Sequence, residues 1–246
     1  GGKAAGTTSS NRSGGGVYVS GAQARFERCT LANNYAQERG GGLYCLDSDI
    51  LVDACKIDWN VGGQGASGQG GGGVYLNAST LRTANSLFID NMAIGQGAAL
   101  YARYSSVSVT GCTISYSAEP SGVAYLAALM CSDGAEIRIA NSIAWFDDYA
   151  AVAGPGISAS YSDIHNGPAG PGNIDADPLF TDAANGVFTL LSSSPCVDAG
   201  SPGAARGYDL KKVKELTEFY KMMKEKPAPQ LSEPGHGSLV QPRSEF

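Results

Sequence analysis

The sequence predicts an all-β solenoid, a parallel β-helix of about six coils, with a helical tail behind it. Three observations lead there. A glycine–tyrosine motif returns at one-coil spacing, a second motif follows each copy, and no adequate stretch before residue 209 has helical period. A repeat of roughly 20–50 residues marks stacked units, none of which can bury its apolar face alone.

The first motif reads Gly14-Gly15-Gly16-Val17-Tyr18 and returns as Gly40-Gly41-Gly42-Leu43-Tyr44 and Gly71-Gly72-Gly73-Val74-Tyr75. Weaker copies follow at Gly97-Ala98-Ala99-Leu100-Tyr101 and Gly122-Val123-Ala124-Tyr125. The tyrosines are 26, 31, 26 and 24 residues apart. The second motif reads Cys29-Thr30-Leu31, Cys55-Lys56-Ile57, Asn85-Ser86-Leu87, Cys112-Thr113-Ile114 and Asn141-Ser142-Ile143. Between them lie short β-branched stretches such as Ile50-Leu51-Val52, Val107-Ser108-Val109 and Ile137-Arg138-Ile139, mostly alternating in polarity, as a sheet with one buried face requires. Hairpins would not repeat identical motifs at this spacing.

Stacked coils place equivalent residues about 4.8 Å apart. Cys29, Cys55, Asn85, Cys112 and Asn141 then form one column, and Leu31, Ile57, Leu87, Ile114 and Ile143 another, both facing the core. The asparagines of the first column would satisfy their amides through a ladder. Asn34, Asn60, Asp90 or Asn91, and Ser117 mark the next corner, where short polar side chains bond the turn backbone. Six cysteines without a CxxC pair suggest neither a disulfide scaffold nor zinc. Cys29, Cys55 and Cys112 are expected as buried thiols.

Composition divides the chain near Tyr208. Residues 1–208 hold 10 Lys/Arg against 17 Asp/Glu and nearly all the glycine; residues 209–246 hold 7 against 6. The predicted units are a β-helix domain over 1–208 and a charged helix plus Pro-rich tail over 209–246. Val213, Leu216, Phe219, Tyr220 and Met223 lie at helical spacing. The tail reads as a loosely docked helix with a disordered end, as a cap on the last coil, or as a segment foreign to the β-helix. A net charge of −6 disfavours nucleic acid as a partner, and no apolar run approaches the length of a membrane span. The opening Gly-Gly-Lys shows no signal-peptide pattern and reads as part of something longer.

The motifs together resemble the right-handed parallel β-helix repeats of bacterial secreted and surface proteins, with a pectin-lyase-like fold. Asp177-Pro178-Leu179-Phe180, Gly186-x-Phe188-x-Leu190 and Ser194-Pro195-x-x-Asp198-Ala199-Gly200 are similar to the C-terminal end of the choice-of-anchor type, which precedes interchangeable surface anchors. Tyr161-Ser162-Asp163-Ile164 is similar to that family's last coil. The resemblance covers about residues 14–200. It implies a secreted or cell-surface bacterial protein, often in contact with carbohydrate. After Gly200 the chain departs from the pattern, continuing Gly203-Ala204-Ala205-Arg206-Gly207-Tyr208 where a short closing strand is expected.

The candidate site is an aromatic stripe. Trp59, Tyr116 and Trp145 share one repeat offset, interrupted by Ile89, with Asp58, Asp90, Asp147 and Asp148 beside them. Aromatic faces stack on sugar rings and carboxylates accept from hydroxyls, which suits a polysaccharide or surface glycan. The alternative is that these rings shield the corner. An enzyme on the same scaffold would act on an acidic polysaccharide. Hydrolysis needs two carboxyl groups at a set separation, but adjacent Asp147 and Asp148 would point to opposite faces of a strand. A lyase needs a base, for which Arg82, Arg103 and Arg138 are available. His165 reads as a solvated turn residue; His236 is the other histidine. Asp175 and Asp177 are candidates for calcium, the one cofactor left open, although Asp177 reads better as the cap of the turn before Pro178. The expected function is a structural, adhesive or glycan-binding module, with the enzyme and an inert surface spacer as alternatives.

Overall fold

Strands form where the short β-branched segments lie, and three of them per coil build three parallel six-stranded sheets. The computed structural model describes residues 2–4, 12–63, 70–93, 96–116, 127–146 and 150–202. Numbered in chain order, the first sheet is β2 (Val17–Ser20), β6 (Leu43–Leu46), β10 (Val74–Asn77), β14 (Leu100–Arg103), β17 (Leu129–Ser132) and β20 (Val152–Ala153). The second is β3 (Gln23–Glu27), β7 (Asp49–Asp53), β11 (Thr80–Ala84), β15 (Ser106–Thr110), β18 (Glu136–Ala140) and β21 (Ile157–Ser160). The third is β4 (Thr30–Ala32), β8 (Lys56–Asp58), β12 (Leu87–Ile89), β16 (Thr113–Tyr116), β19 (Ile143–Phe146) and β22 (Asp163–Ile164). A narrow fourth sheet holds β1 (Lys3–Ala4), β5 (Tyr35–Ala36), β9 (Val61–Gly62) and β13 (Met92–Ala93). The six-coil parallel solenoid is therefore as the repeats predict. The expected tail helix and the boundary near Tyr208 lie outside the described residues.

The glycine triplet has two separate causes. Its first member takes a left-handed φ, as at Gly40 (φ 63) and Gly71 (φ 70). Its second passes against the narrow sheet: a Cβ on Gly41 would lie 2.5 Å from the Val61 carbonyl oxygen. The tyrosines that follow stack from coil to coil, Tyr18 on Tyr44 at 5.0 Å, Tyr44 on Tyr75 at 5.4 Å and Tyr75 on Tyr101 at 5.3 Å between ring centroids. They face away from the main core and form a separate apolar cluster with Leu46 and Met130. Met130 pairs with Tyr101 and so takes the tyrosine place in the fifth coil. The expected copy at Gly122–Tyr125 is not that position; it lies outside the described residues.

The second motif is corrected by one residue in two coils. Phe88, not Leu87, pairs with Ile57 and Ile114, and Ala144, not Ile143, pairs with Ile114. The inward column is Leu31, Ile57, Phe88, Ile114, Ala144 and Ile164. Asn85 (φ 47) and Asn141 (φ 50) instead occupy the left-handed corner, alongside Gly111 (φ 59), a conformation asparagine tolerates better than most residues. The position after this corner is a Ser/Cys ladder. Cys55 N–H donates to Ser86 Oγ (3.1 Å), Cys112 N–H to Ser142 Oγ (3.2 Å) and Ser142 N–H to Ser162 Oγ (3.2 Å). Each hydroxyl in turn donates to the carbonyl two residues back, as Ser86 does to Ala84 (2.7 Å). The asparagine ladder runs one corner later: Asn34 Nδ2 donates to Asn60 Oδ1 (2.8 Å) and Asn60 Nδ2 to Asn91 Oδ1 (2.9 Å). Ser117 lies outside the described residues.

The cysteines are free. Cys55 and Cys112 are buried, and desolvation pushes both thiols up to about 11. Cys29 is exposed, contrary to expectation; among the described residues no third-sheet strand lies on its side of β4.

Beyond β22 the chain folds back against the last coil, where Ile164 N–H donates to the Ile174 carbonyl (3.0 Å). An antiparallel hairpin, β23 (Phe180–Asp182) and β24 (Val187–Leu190), is pinned by an edge-on Phe180–Phe188 contact. Asp177 caps the turn as expected, accepting from Leu179 N–H at 2.9 Å. Ser194 Oγ donates to the Pro178 carbonyl (2.6 Å), and Cys196 Sγ lies 2.9 Å from Oδ2 of the fully buried Asp163. Asp163 Oδ1 also accepts from Ala176 N–H (3.1 Å). The sequence motif Asp-Pro-Leu-Phe…Ser-Pro thus forms a clasp on the last coil.

Candidate functional site

The site is the outer side of the third sheet and the corner that follows it. Because Asn85 and Asn141 sit on a corner, counting residues from them slips the aromatic stripe by one. The true strand position holds Ala32, Asp58, Ile89, Ser115 and Trp145. The corner beyond it holds Asn33, Trp59 and Asp90, whose amides donate to the carbonyls of Asp58, Ile89 and Ser115 in the next coil. Tyr116 follows Asp90 in register and pairs with Phe146. Trp59, Asp90 and Tyr116 therefore line one corner, while Trp145 belongs with Asp58 on the strand. The side chain of Tyr116, and Asp147 and Asp148 entirely, lie outside the described residues.

Trp59 is 54% exposed and has φ 51. Its neighbours along the corner are Asn33 (φ 57) and Asp90 (φ 51), residue types with polar side chains that ease a left-handed backbone. A tryptophan gains no such relief, so this ring is held in solvent on a strained corner. Tyr104 (φ 49, 57% exposed) is a second such ring, at the corner between the first two sheets, with the Arg103 guanidinium 5.0 Å from its centroid. Tyr104 was not singled out in the sequence; it stands where Asp47 and Ala78 stand in earlier coils.

Asp58 is not presented to solvent. It is 8% exposed, with Oδ2 2.5 Å from Lys56 Nζ and Oδ1 buried without a hydrogen bond. Burial raises its pKa, with a small push from the charge of Asp90; Lys56 pulls it back.

At the far end of the same strand position Trp145 meets His165, ring centroids 4.7 Å apart. His165 is no free turn residue. Its Nδ1 lies 3.2 Å from Asp175 Oδ1 and its Nε2 3.0 Å from Asn166 Nδ2. An amide nitrogen only donates, so Nε2 accepts, and Nδ1 carries the proton shared with Asp175. Asn166 N–H donates to Asp175 Oδ2 (3.0 Å). The signal for this pairing was the intervening loop, Gly167-Pro168-Ala169-Gly170-Pro171-Gly172, which turns the chain back on itself. Asp175 is thus committed to His165 and Asn166, and Asp177 to its turn; among the described residues no group of three His, Cys, Asp or Glu converges as a metal site.

The arginines considered as bases are each paired. Arg82 meets Asp49 (2.9 Å), Arg138 meets Glu136 (2.5 Å) and Arg103 meets Asp133 (2.7 Å). Hydrogen bonding to Asp133 raises the pKa of Arg103 further, away from any basic role.

A family model described as a right-handed β-helix region matches residues 3–166. No curated protein matches the chain. No solved structure matches it.

Proposed function

Because the chain belongs to the right-handed β-helix family, we propose that it is an extracellular bacterial module that holds a glycan against the corner of Trp59. The observation that carries this reading is Trp59 itself: a large exposed ring kept in a left-handed corner where its neighbours use Asn and Asp. Other corners also hold residues that are neither Asn nor Asp at this φ, such as Ala54 and Ala78, so what favours a ligand here is the exposure of a large aromatic ring. The ring offers a face to the C–H surface of a sugar, and Asp90, one coil along, offers a carboxylate to its hydroxyls. Trp145 is half-buried against His165 and would form the edge of the same surface. The rigid stack behind them fixes their spacing, which fits an adhesive or structural role at the cell surface. The choice-of-anchor resemblance of residues 177–200 supports that location.

The test is binding to a panel of neutral and acidic polysaccharides, with and without calcium. Trp59→Asn should abolish binding while leaving the fold at least as stable. Binding that survives both Trp59→Asn and Trp145→Ala would remove the glycan from this face. A second reading, an enzyme on acidic polysaccharide, is favoured by one observation: Asp175 orients the His165 ring, whose Nε2 would serve as a general base once a substrate hydroxyl displaced the Asn166 amide from it. Turnover lost in His165→Gln and Asp175→Asn, but retained in Trp59→Asn, would replace the binding reading with this one.

A further inference from the structure

The first sheet turns a column of phenols away from the core. Tyr18, Tyr44, Tyr75 and Tyr101 are register partners on β2, β6, β10 and β14. Their rings run nearly parallel, with interplanar angles of 17°, 5° and 12°. Tyr18 is the most open of the four, 41% exposed, and the other three are buried. Met130 takes the next place and Ala153 the one after it, so the run of phenols ends at Tyr101. A phenol is among the side chains most easily oxidised by one electron. Rings in this contact exchange an electron far faster than a buried ring meets a reagent in solvent.

The hydroxyls of the column are not equivalent. A phenol that has lost an electron is a strong acid, so the oxidation settles where the proton has somewhere to go. Burial pushes the Tyr75 hydroxyl up to about 12 and raises that of Tyr44 as well. Arg39 donates to the Tyr44 hydroxyl and holds its guanidinium 5.6 Å from the Tyr75 ring centroid, a fixed positive charge that opposes a second one on either ring. Tyr101 has the opposite setting. Ser132 Oγ spends its only proton on Asp133 Oδ2 (2.9 Å), so Tyr101 is the donor in its 2.8 Å bond to Ser132 Oγ. The route leads from a buried phenol through one hydroxyl to a carboxylate whose side chain is 39% exposed and which Arg103 holds at 2.7 Å. We infer that the column is a relay for one-electron oxidation with Tyr101 as its terminus, and that the activity it gives the chain is the quenching of radical oxidants at its surface. The oxidant is a single-electron acceptor in solvent, such as the carbonate radical anion. It takes one electron from the column, the electron hole passes from ring to ring, and Tyr101 gives up an electron and a proton to become the neutral tyrosyl radical. Its proton goes to Ser132 Oγ as the Ser132 proton goes to Asp133 Oδ2, and Asp133 releases it to water. A donor such as ascorbate, returning one electron with one proton, restores the phenol. The inference stands on the first sheet and is independent of the glycan reading.

The test is flash oxidation of the full chain by photoexcited tris(bipyridyl)ruthenium with persulfate, read by electron paramagnetic resonance of the tyrosyl radical. Tyr101→Phe should remove most of the long-lived signal. Tyr104→Phe, which takes away a more exposed phenol outside the column, should leave it. Ser132→Ala keeps every ring and deletes only the acceptor of the Tyr101 proton. It should also remove most of the signal, and with it the slowing of radical formation in heavy water. Tyr75→Phe keeps the stack but resists oxidation, and should slow the appearance of the radical at Tyr101. The ring replacements leave the packing in place, so a lost signal is not a lost fold, and thermal melts check this. A signal untouched by both Tyr101→Phe and Ser132→Ala overturns Tyr101 as the terminus. A radical that reaches Tyr101 at the parent rate in Tyr75→Phe overturns the relay.

Discussion

Leu31 and Ile114 occupy the same column and face the same core, yet they differ in burial. Ile114 lies between Phe88 and Ala144 and is completely buried; Leu31 has Ile57 on one side and is only partly buried. The residue types are nearly equivalent, so the difference comes from neighbours. In a solenoid the stability of a position is the sum of its own coil and the two interfaces it makes, and among the described residues Leu31 makes one of them. Among the described residues the Tyr stack and the Ser/Cys ladder repeat this in aromatic and polar chemistry: each has partners on both sides in the middle and on one side at Tyr18 and Cys29.

The comparison is broken most directly by truncating both members. Ile114→Ala should cost about 2–5 kcal/mol, the range for deleting a buried aliphatic side chain with little collapse. Leu31→Ala should cost about half as much, because part of its surface already meets water. Urea denaturation of the two variants measures this, and equal losses would show that the first coil is covered after all. The clasped end supplies the next largest effect. Asp163→Ala removes the acceptor for Ala176 N–H and the partner of Cys196 Sγ in a fully buried setting. A loss of about 2–3 kcal/mol is expected, with limited proteolysis directed to residues 175–200 while β6–β16 stay protected. Cleavage spread evenly through the coils would mean that the clasp holds more than its own end.

The coil count and parallel sense were legible because the glycine triplets recur for steric reasons that only a tight corner imposes. The register was legible where cysteine marks the ladder, at Cys29, Cys55 and Cys112. It slipped at Asn85 and Asn141, because asparagine suits both a ladder and a left-handed corner, and a neighbouring serine performs the ladder's work with less conspicuous chemistry. That slip carried into the aromatic stripe, separating Trp145 from Trp59. Asp58 could be placed on the third sheet from sequence, but its burial could not, since that depends on what covers the outer face. For the His165–Asp175 pair the Gly/Pro-rich loop between its members signals that the chain turns back, but no periodicity says where it returns.

Trp59→Asn runs against the other variants in sign. Replacing a tryptophan at φ 51 with the residue that Asn33 uses at the equivalent corner should stabilise the fold by about 0.5–1 kcal/mol. Thermal denaturation reads this directly. A loss of stability instead would show that the ring packs at its corner, and would return Trp59 to the shielding role that competes with ligand contact.

The smallest effects are in pH dependence, where a covered and an uncovered aspartate should differ in sign. Burial raises Asp58 above its ordinary value of 3.8, so the folded state holds its proton more tightly than the unfolded chain. Stability from this group is therefore lost as pH rises from about 3.8 through the folded value, and Asp58→Asn should remove that loss. Asp133 is shifted the other way, by hydrogen bonds from Ser132 and then Arg103. Its contribution is present above 3.8 and disappears as pH falls through the lowered folded value. Asp133→Asn should therefore differ from the parent above that window and merge with it below. Carboxyl carbon shifts followed by NMR give the two midpoints independently. If both fall on the same side of 3.8, local covering is not what separates the two carboxylates, and the neighbour argument drawn from Leu31 and Ile114 does not extend to charge.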